Sequence, residues 1–433
     1  MPARRADFWL YFGGQAVSTV GSAFTLFALP LLVYKLTGSP TDLALTMAAN
    51  MLPYLLFGLV FGAVADRVDR RRMMISVDLG RAAVIAVLPV LYLAGSLDVV
   101  WVYAVAFVQA SLGILFDSGE FAAIPSLVSR ADLVTANGRI MAANSAGQVA
   151  GPVVAGALVS FLAPASLLFV DAATFVVSAL SLTLIRRSFN AADAVDESAA
   201  TGDGASIFRR LMRDVREGLG YVWRHPVLRS ISIMMALINF FAATTLAQLA
   251  FFAKTALHAS DSQVGWMFAA GAAGVVVVGS VAGRLRRRLS FPVVALGALI
   301  VSGLALVGLG LTHTYAVALV LWAVSSGFAM LLNINTSALR QAIVPNRLLG
   351  RVMSVASVLA WSAIPAGALT GAAVMQATDV SVVYAAIGAI DALIAATFWL
   401  SPIRYGDRYL AEAAAEPSAV ADAETANAAE PAH

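Results

Sequence analysis

Gly62–Arg72 reads GAVADRVDRRR, and about 215 residues further on Gly279–Arg288 reads GSVAGRLRRR. Each is a basic segment closing an apolar run of about 20 residues, the length that crosses a hydrocarbon layer about 30 Å thick. Working outward from these two segments, such runs recur along nearly the whole 433-residue chain. They are continuous, which argues against a barrel of alternating ten-residue strands. Helices satisfy their own backbone hydrogen bonds in lipid. Charged residues are 12% of the chain and hydrophobic residues 60%, against roughly 25% charged in soluble domains. The expected fold class is an all-α membrane protein.

Twelve spans are expected, at 8–33, 43–65, 73–94, 98–121, 140–162 and 165–185, then 229–253, 263–283, 291–311, 314–336, 352–375 and 381–401. With this count the arginine-bearing segments fall on one side of the membrane. They are Arg4 and Arg5, Arg67 to Arg72, Arg130 and Arg139, Arg186 to Arg229, Arg284 to Arg288, Arg340 to Arg351, and Arg404 with Arg408. The opposite loops hold the chain's two lysines, Lys35 and Lys254. The positive-inside rule then makes both termini cytoplasmic, in a multi-pass protein of a bacterial inner (cytoplasmic) membrane.

Four regions follow: an N-terminal six-helix bundle over 1–188, a cytoplasmic linker over 189–228, a C-terminal six-helix bundle over 229–403, and a disordered cytoplasmic tail over 404–433. Asn190–Ser206 is rich in Ala, Asp and Gly and reads as disordered. Phe208–Leu228 mixes apolar residues with Arg209, Arg210, Arg213 and Arg216 at helical spacing. It reads either as an amphipathic helix on the anionic leaflet or as a regulatory docking site.

Several function classes lack their sequence requirements. There is no cysteine, and the four histidines show no metal-ligand spacing. The chain has no zinc-protease helix motif, serine nucleophile elbow or Gly-rich phosphate loop. No enzyme activity, cofactor, metal or nucleic-acid partner is expected. The expected partners are a small-molecule substrate, protons and the lipid bilayer, with the chain acting as a monomer.

Further matches at similar offsets point to a duplicated six-helix unit. GRIM at Gly138–Met141 opens the fifth span and GRVM at Gly350–Met353 the eleventh, and Asp171 has a counterpart in Asp391. Duplicated halves around a central site are the usual architecture of secondary transporters. On these residues the chain resembles the major facilitator superfamily over nearly its full length. Gly62, Asp66, Arg67, Arg70 and Arg71 fit the signature between helices 2 and 3, with Asp69 where Gly is commoner. GQVAGPVVAG at Gly147–Gly156 resembles the helix 5 motif of drug–proton antiporters, carried by Gly147, Gly151, Pro152 and Gly156. LPLLVYKLTGSP at Leu29–Pro40 and VWRHPVLR at Val222–Arg229 resemble the bacterial branch of macrolide-efflux-like proteins and the enterobactin exporter.

The resemblance implies a major facilitator fold of two pseudo-symmetric six-helix bundles, and proton-coupled efflux of a hydrophobic or amphipathic compound by alternating access. Such a compound would be a drug, a macrolide-like metabolite or a siderophore. Import of a nutrient or lipid product, and a non-transporting sensor on the same fold, stay open beside it. In relatives the acid corresponding to Asp66 is thought to bridge to the N-terminal end of helix 11, locking an inner gate. Gly147 and Gly151, four apart, and the bend at Pro152 read either as an interface between halves or as ordinary close packing, with Pro365 and Gly367 as the equivalent in helix 11. Charges at membrane depth cost about 2.5–3.5 kcal/mol on insertion scales, so Asp117, Glu120 and Asp391 are candidate proton or substrate sites. Asp78 and Arg81, three apart, read as a structural pair. Gln15, Gln109, Asn239, Asn333 and Asn335 are further candidates on helices expected to line the cavity, with Phe8, Trp9, Phe24, Phe107 and Phe240 as apolar walls.

Overall fold

A computed structural model describes residues 2–65, 68–128, 133–185, 189 and 204–410. The expectations for Asp66, Arg67, Arg130, most of the stretch from Asn190 to Ser206, and the tail from 411 onward therefore lie outside the described residues. Among the described residues the helices run in order: α1 (Pro2–Thr37), α2 (Pro40–Ala65), α3 (Arg70–Leu93), α4 (Val99–Leu127), α5 (Leu133–Leu158), α6 (Pro164–Leu184), α7 (Gly204–Arg224), α8 (Pro226–Ala247), α9 (Leu249–Thr255), α10 (Asp261–Arg288), α11 (Phe291–Leu311), α12 (Tyr315–Ile343), α13 (Asn346–Trp361), α14 (Ala363–Ala377) and α15 (Val380–Phe398).

Ten helical stretches among the described residues are long and apolar enough to cross a membrane. Helices α2 and α5, 26 residues each, are about 39 Å long at 1.5 Å per residue and complete the twelve expected spans. The polar start of α5, with Asn137, Gly138 and Arg139, explains why the expected span began a full two turns late. Spans 7 and 11 are each two helices. The first breaks at Gln248, between α8 and α9. The second breaks at Ser362, between α13 and α14, because Pro365 lacks the N–H that would bond the carbonyl of Trp361. Several ends are capped by side chains: Asp69 accepts from Arg72 N, Asp98 from Val100 N, and Ser260 with Gln263 forms a capping box on α10.

The halves repeat one packing pattern. In the first, α1 packs on α5, α2 on α4, α3 on α4 and α6; in the second, α8 packs on α14, α10 on α12, and α11 on α12 and α15. The glycine seams repeat with it. A Cβ on Gly147 would lie 2.8 Å from Thr19 Cγ2 and one on Gly151 2.3 Å from Ala23 Cβ, so α5 lies tight on α1. At positions 220 residues on, a Cβ on Gly367 would strike Phe240 O at 1.8 Å and one on Gly371 Thr244 Oγ1 at 2.0 Å, bringing α14 equally close to α8. The symmetry fails in one place. Gly14 and Gly21 let α6 close onto α1, whereas α8 has no glycine and receives a hydrogen bond from α15, the Tyr384 hydroxyl donating to Thr245 O at 2.6 Å.

The cores show how the halves meet. At the end carrying Lys35 and Lys254, one apolar cluster spans both halves, joining Phe27, Leu31 and Leu88 to Phe252, Phe268 and Tyr384. At the arginine end each half keeps its own core, one around Tyr11, Met74 and Phe116, the other around Ile231, Phe291 and Leu331. Among the described residues, the halves thus share a core at the lysine end and keep separate cores at the arginine end. Replacing Gly151 by leucine forces a side chain into Ala23, an overpacking cost of about 1–3 kcal/mol. It should lower the thermal midpoint of the detergent-solubilised protein, while Gly297→Leu, with open space around it, leaves it near wild type. Equal midpoints for both variants would contradict this packing.

Candidate functional site

The joined end is built from few polar contacts and much apolar surface. The chain's two lysines converge on one carboxylate: Lys35 of α1 and Lys254 of α9 both pair with Asp261, the first residue of α10. Lys254 also donates to Ala259 O at 2.9 Å, which fixes it beside the acid. Lys35 belongs to the first half and Asp261 to the second, so this ion pair crosses the seam. Gln248, at the break between α8 and α9, donates from Nε2 to Pro40 O at 2.7 Å, and Gln376 of α14 donates to the Thr41 hydroxyl. Phe27 meets Phe268 edge-on at 6.1 Å, and Tyr34 meets Phe251 at 6.0 Å.

Two helix pairs carry the seam, α5 with α10 and α2 with α14. In the first, backbones touch: a Cβ on Gly265 would lie 2.6 Å from Gly156 Cα and 2.9 Å from Pro152 O. The helix 5 motif therefore has two jobs on two faces. Gly147 and Gly151 close α5 onto α1 inside its own half, in line with the close-packing reading of the two that the sequence left open. Pro152 and Gly156 make the interface between halves. Gly367, similarly, faces α8 within the second half and corresponds to Gly147. The second helix pair is lined with alanine: Ala44 of α2 is buried with Ala243 and Ala247 of α8 and Ala368 and Ala372 of α14.

Toward the separated end lie the carboxylates of α4. Asp117 is exposed and Glu120 half-buried. The Tyr11 hydroxyl donates to Glu120 Oε1. Asp117 lies within electrostatic reach of Arg81 and of Tyr54, and Tyr54 meets Trp361 of the other half edge-on at 6.2 Å. That places Asp117 near the contact between the halves at Tyr54 and Trp361. Neither acid forms an ion pair with the arginines of its end among the described residues.

The remaining candidates are mostly engaged in packing. Gln15 Nε2 donates to Ser178 Oγ at 2.8 Å, which donates to Asp78 Oδ2 at 2.6 Å. Asp78 and Arg81 form no direct ion pair among the described residues, though Arg81 lies within electrostatic reach of Asp78. Arg81 lies over the Phe175 ring, 4.0 Å from its centroid, while Gln109 Nε2 donates to Arg81 O at 2.9 Å. Asn239 Nδ2 donates to Ala360 O at 3.0 Å and Asn335 Nδ2 to Leu331 O of its own helix at 2.8 Å. Asn333 is exposed. Of the expected walls, Phe8 is buried beside Phe12 and Phe24 is part of the shared core, so neither lines a cavity. Trp9 is half-exposed with Arg139 over its ring, and Phe107 is edge-on to Phe57.

Asp171 and Asp391 differ in surroundings. Asp171 accepts a hydrogen bond from the Thr25 hydroxyl of α1. Asp391 is 3% exposed, and its Oδ1 has no partner among the described residues. By the register that sets Phe240 opposite Thr19, the counterpart of Thr25 on α8 is Leu246, which has no hydroxyl to offer. At the arginine end, Arg70 is buried, and Arg71 Nε donates to Leu182 O at 2.9 Å with a second bond to Thr183 O. A cation there complements the C-terminal dipole of α6. Gly62 lies in the last turn of α2.

The Lys35–Asp261 pair is partly exposed, so it contributes about 0–1 kcal/mol, and its loss should loosen the seam without unfolding the protein. In an Ala44→Cys background, Asp261→Asn should raise the rate at which a membrane-impermeant maleimide labels Cys at position 44. An unchanged rate would show that the ion pair does not hold this end shut.

The chain resembles known proteins throughout. It is 28% identical over 390 residues to the multidrug efflux pump Tap of Mycolicibacterium fortuitum, covering 87% of this chain and 92% of that one. It is 26% identical over 286 residues to macrolide efflux protein A of Streptococcus pyogenes, covering 64% and 66%. Among solved structures, a bacterial homologue of the iron transporter ferroportin in an inward-facing state matches with a TM-score of 0.68 at 17% identity, over 90% of this chain and 98% of that one. A bacterial homologue of the lysosomal transporter Spinster matches with 0.66 at 14% identity, over 96% of both. The sequence profile of the Major Facilitator Superfamily matches residues 11–368 and again 235–425. Two six-helix halves, their repeated seams and this match over most of the length agree: the chain belongs to the Major Facilitator Superfamily, a family of membrane transporters rather than enzymes.

Proposed function

We propose that this transporter expels a hydrophobic or amphipathic small molecule, such as a drug or macrolide-like metabolite, in exchange for protons. The observation that carries the reading is the division of the cores. Among the described residues, one core joins the halves at the lysine end and two separate cores lie at the arginine end, which supports an opening there. By the positive-inside rule the arginine end is cytoplasmic, as are both termini. The described arrangement is then the loading state of an alternating-access cycle, open to the cytoplasm, with 1–188 and 229–403 as the two rocking bundles. The relatives named as efflux pumps support the outward direction.

Asp117 and Glu120 are the residues assigned to coupling. They are acids three apart on α4, with no ion pair among the described residues. Each can hold a proton when the cleft faces one side and release it when it faces the other. Tyr11 orients Glu120 through its hydroxyl. Tyr54 and Trp361 offer aromatic surface from both halves to an apolar substrate. Asp66, with Gly62, Arg67, Arg70 and Arg71, is assigned to the gate that closes the arginine end in the opposite state.

Proton movement in everted vesicles carrying an imposed pH gradient tests this reading against a panel of amphipathic compounds. Compound-dependent proton release is expected in wild type and in Asp391→Asn. It should be lost in Asp117→Asn and Glu120→Gln at matched membrane levels, and in Asp66→Asn through loss of gating. Release at the wild-type rate in both α4 variants would remove them as carriers. Compound-dependent uptake in the opposite sense would favour import.

A further inference from the structure

The segment between the halves has a site of its own. Helix α7 presents three faces. Gly218 and Val222 are buried, and the helix packs on α13 and α8. Its end is fixed by an aromatic run in which Tyr221 stacks on His225 at 6.3 Å and His225 meets Tyr409 at 5.4 Å. A second face exposes Leu219 and Trp223, one turn apart and 39% and 54% exposed. On the third face a cavity of about 580 Å³ lies between α7 and Leu348 of α13, lined by Arg213, Arg216 and Arg224 with Glu217 as its one carboxylate.

None of these three arginines has an ion-pair or hydrogen-bond partner among the described residues. An exposed tryptophan and leucine beside a row of arginines is the arrangement of a helix lying in a membrane interface, with the apolar pair in the acyl boundary and the guanidinium groups at headgroup depth. Guanidinium forks bind phosphate oxygens in pairs. A groove of this volume is roomy enough for a phosphate with its glycerol or a second headgroup. We propose that the α7–α13 groove binds the phosphate of an anionic phospholipid, held by Arg213, Arg216 and Arg224, while Leu219 and Trp223 anchor the helix among the acyl chains. The headgroup then fills a groove closed on one side by α13, the helix that continues into the α14 seam, and ties α7 to the second half whatever the cleft carries.

Native mass spectrometry of the full-length protein tests this with phosphatidylglycerol, phosphatidylcholine and inorganic phosphate as separate probes. Wild type should retain phosphatidylglycerol over phosphatidylcholine. In R213Q/R216Q/R224Q the retained phosphatidylglycerol should fall about tenfold or more, the scale of removing three charges that each meet an anionic headgroup. R284Q/R287Q/R288Q, which removes equal charge at the same end, should retain it as wild type does. The single variants R216Q and R224Q leave the buried face of α7 intact and should each show an intermediate loss, so a misfolded triple variant does not decide the matter. Equal loss in both triple variants would reduce the effect to general surface charge. Displacement of the lipid by inorganic phosphate alone, at equimolar concentration, would make this a free-anion site. Either result overturns the proposal.

Discussion

Everything else in this molecule is arranged around the approach of two backbones, where Gly156 of α5 and Gly265 of α10 leave no room for a Cβ between opposite halves. In lipid, helices associate through packing, and small residues let backbones close. The same device recurs within each half, at Gly147 and Gly151 on α1 and at Gly367 and Gly371 on α8. Each half is therefore a rigid body with tight internal seams. Between the halves, the backbones meet along a narrow ridge of glycine and alanine, beside the shared apolar core of the lysine end.

What holds the ridge shut is apolar surface more than charge. Fully burying a side chain such as Phe27 or Phe252 is worth about 1.5–3 kcal/mol each when the alternative is water. A partly exposed ion pair such as Lys35–Asp261 contributes about 0–1 kcal/mol. In the proposed cycle these surfaces meet water when the lysine end opens, so the closed arrangement has a real but modest advantage. The lysine–aspartate bridge supplies register, since one carboxylate receives both lysines of the chain. In the proposed coupling, substrate and protons on the α4 acids offset a difference of a few kcal/mol, the scale on which two conformers exchange.

Much of this was legible in the residues. The span count follows from apolar length, and the charge asymmetry follows from where arginine and lysine lie. The duplication shows in GRIM and GRVM and in the paired basic segments. What escaped was facing. Asp78 and Arg81 have the spacing of a pair, yet α6, about 100 residues away, takes each through Ser178 and Phe175. Phe24 is as apolar as Phe107, but hydropathy does not separate a residue in the core from one on a cleft. The bridge at Asp261 left a trace that could have been used: two lysines, both at one end, with an acid opening the next helix. The seam at Gly371 and the lack of a hydroxyl opposite Asp391 emerge only when the halves are laid on each other at an offset of 220.

Two halves that rock about the ridge must move their two ends reciprocally, and the cysteine-free chain allows this to be measured with spin labels at introduced cysteines alone. One pair, Thr37→Cys with Thr255→Cys, reports across the lysine end; another, Arg72→Cys with Arg287→Cys, reports across the arginine end. Pulsed electron paramagnetic resonance distances would be taken in nanodiscs at neutral and acid pH, with and without a transported compound. Lengthening at the lysine end together with shortening at the arginine end is the predicted result. Distances that change at one end alone, or in the same direction at both, would contradict a cycle in which two rigid halves rock about the Gly156–Gly265 ridge.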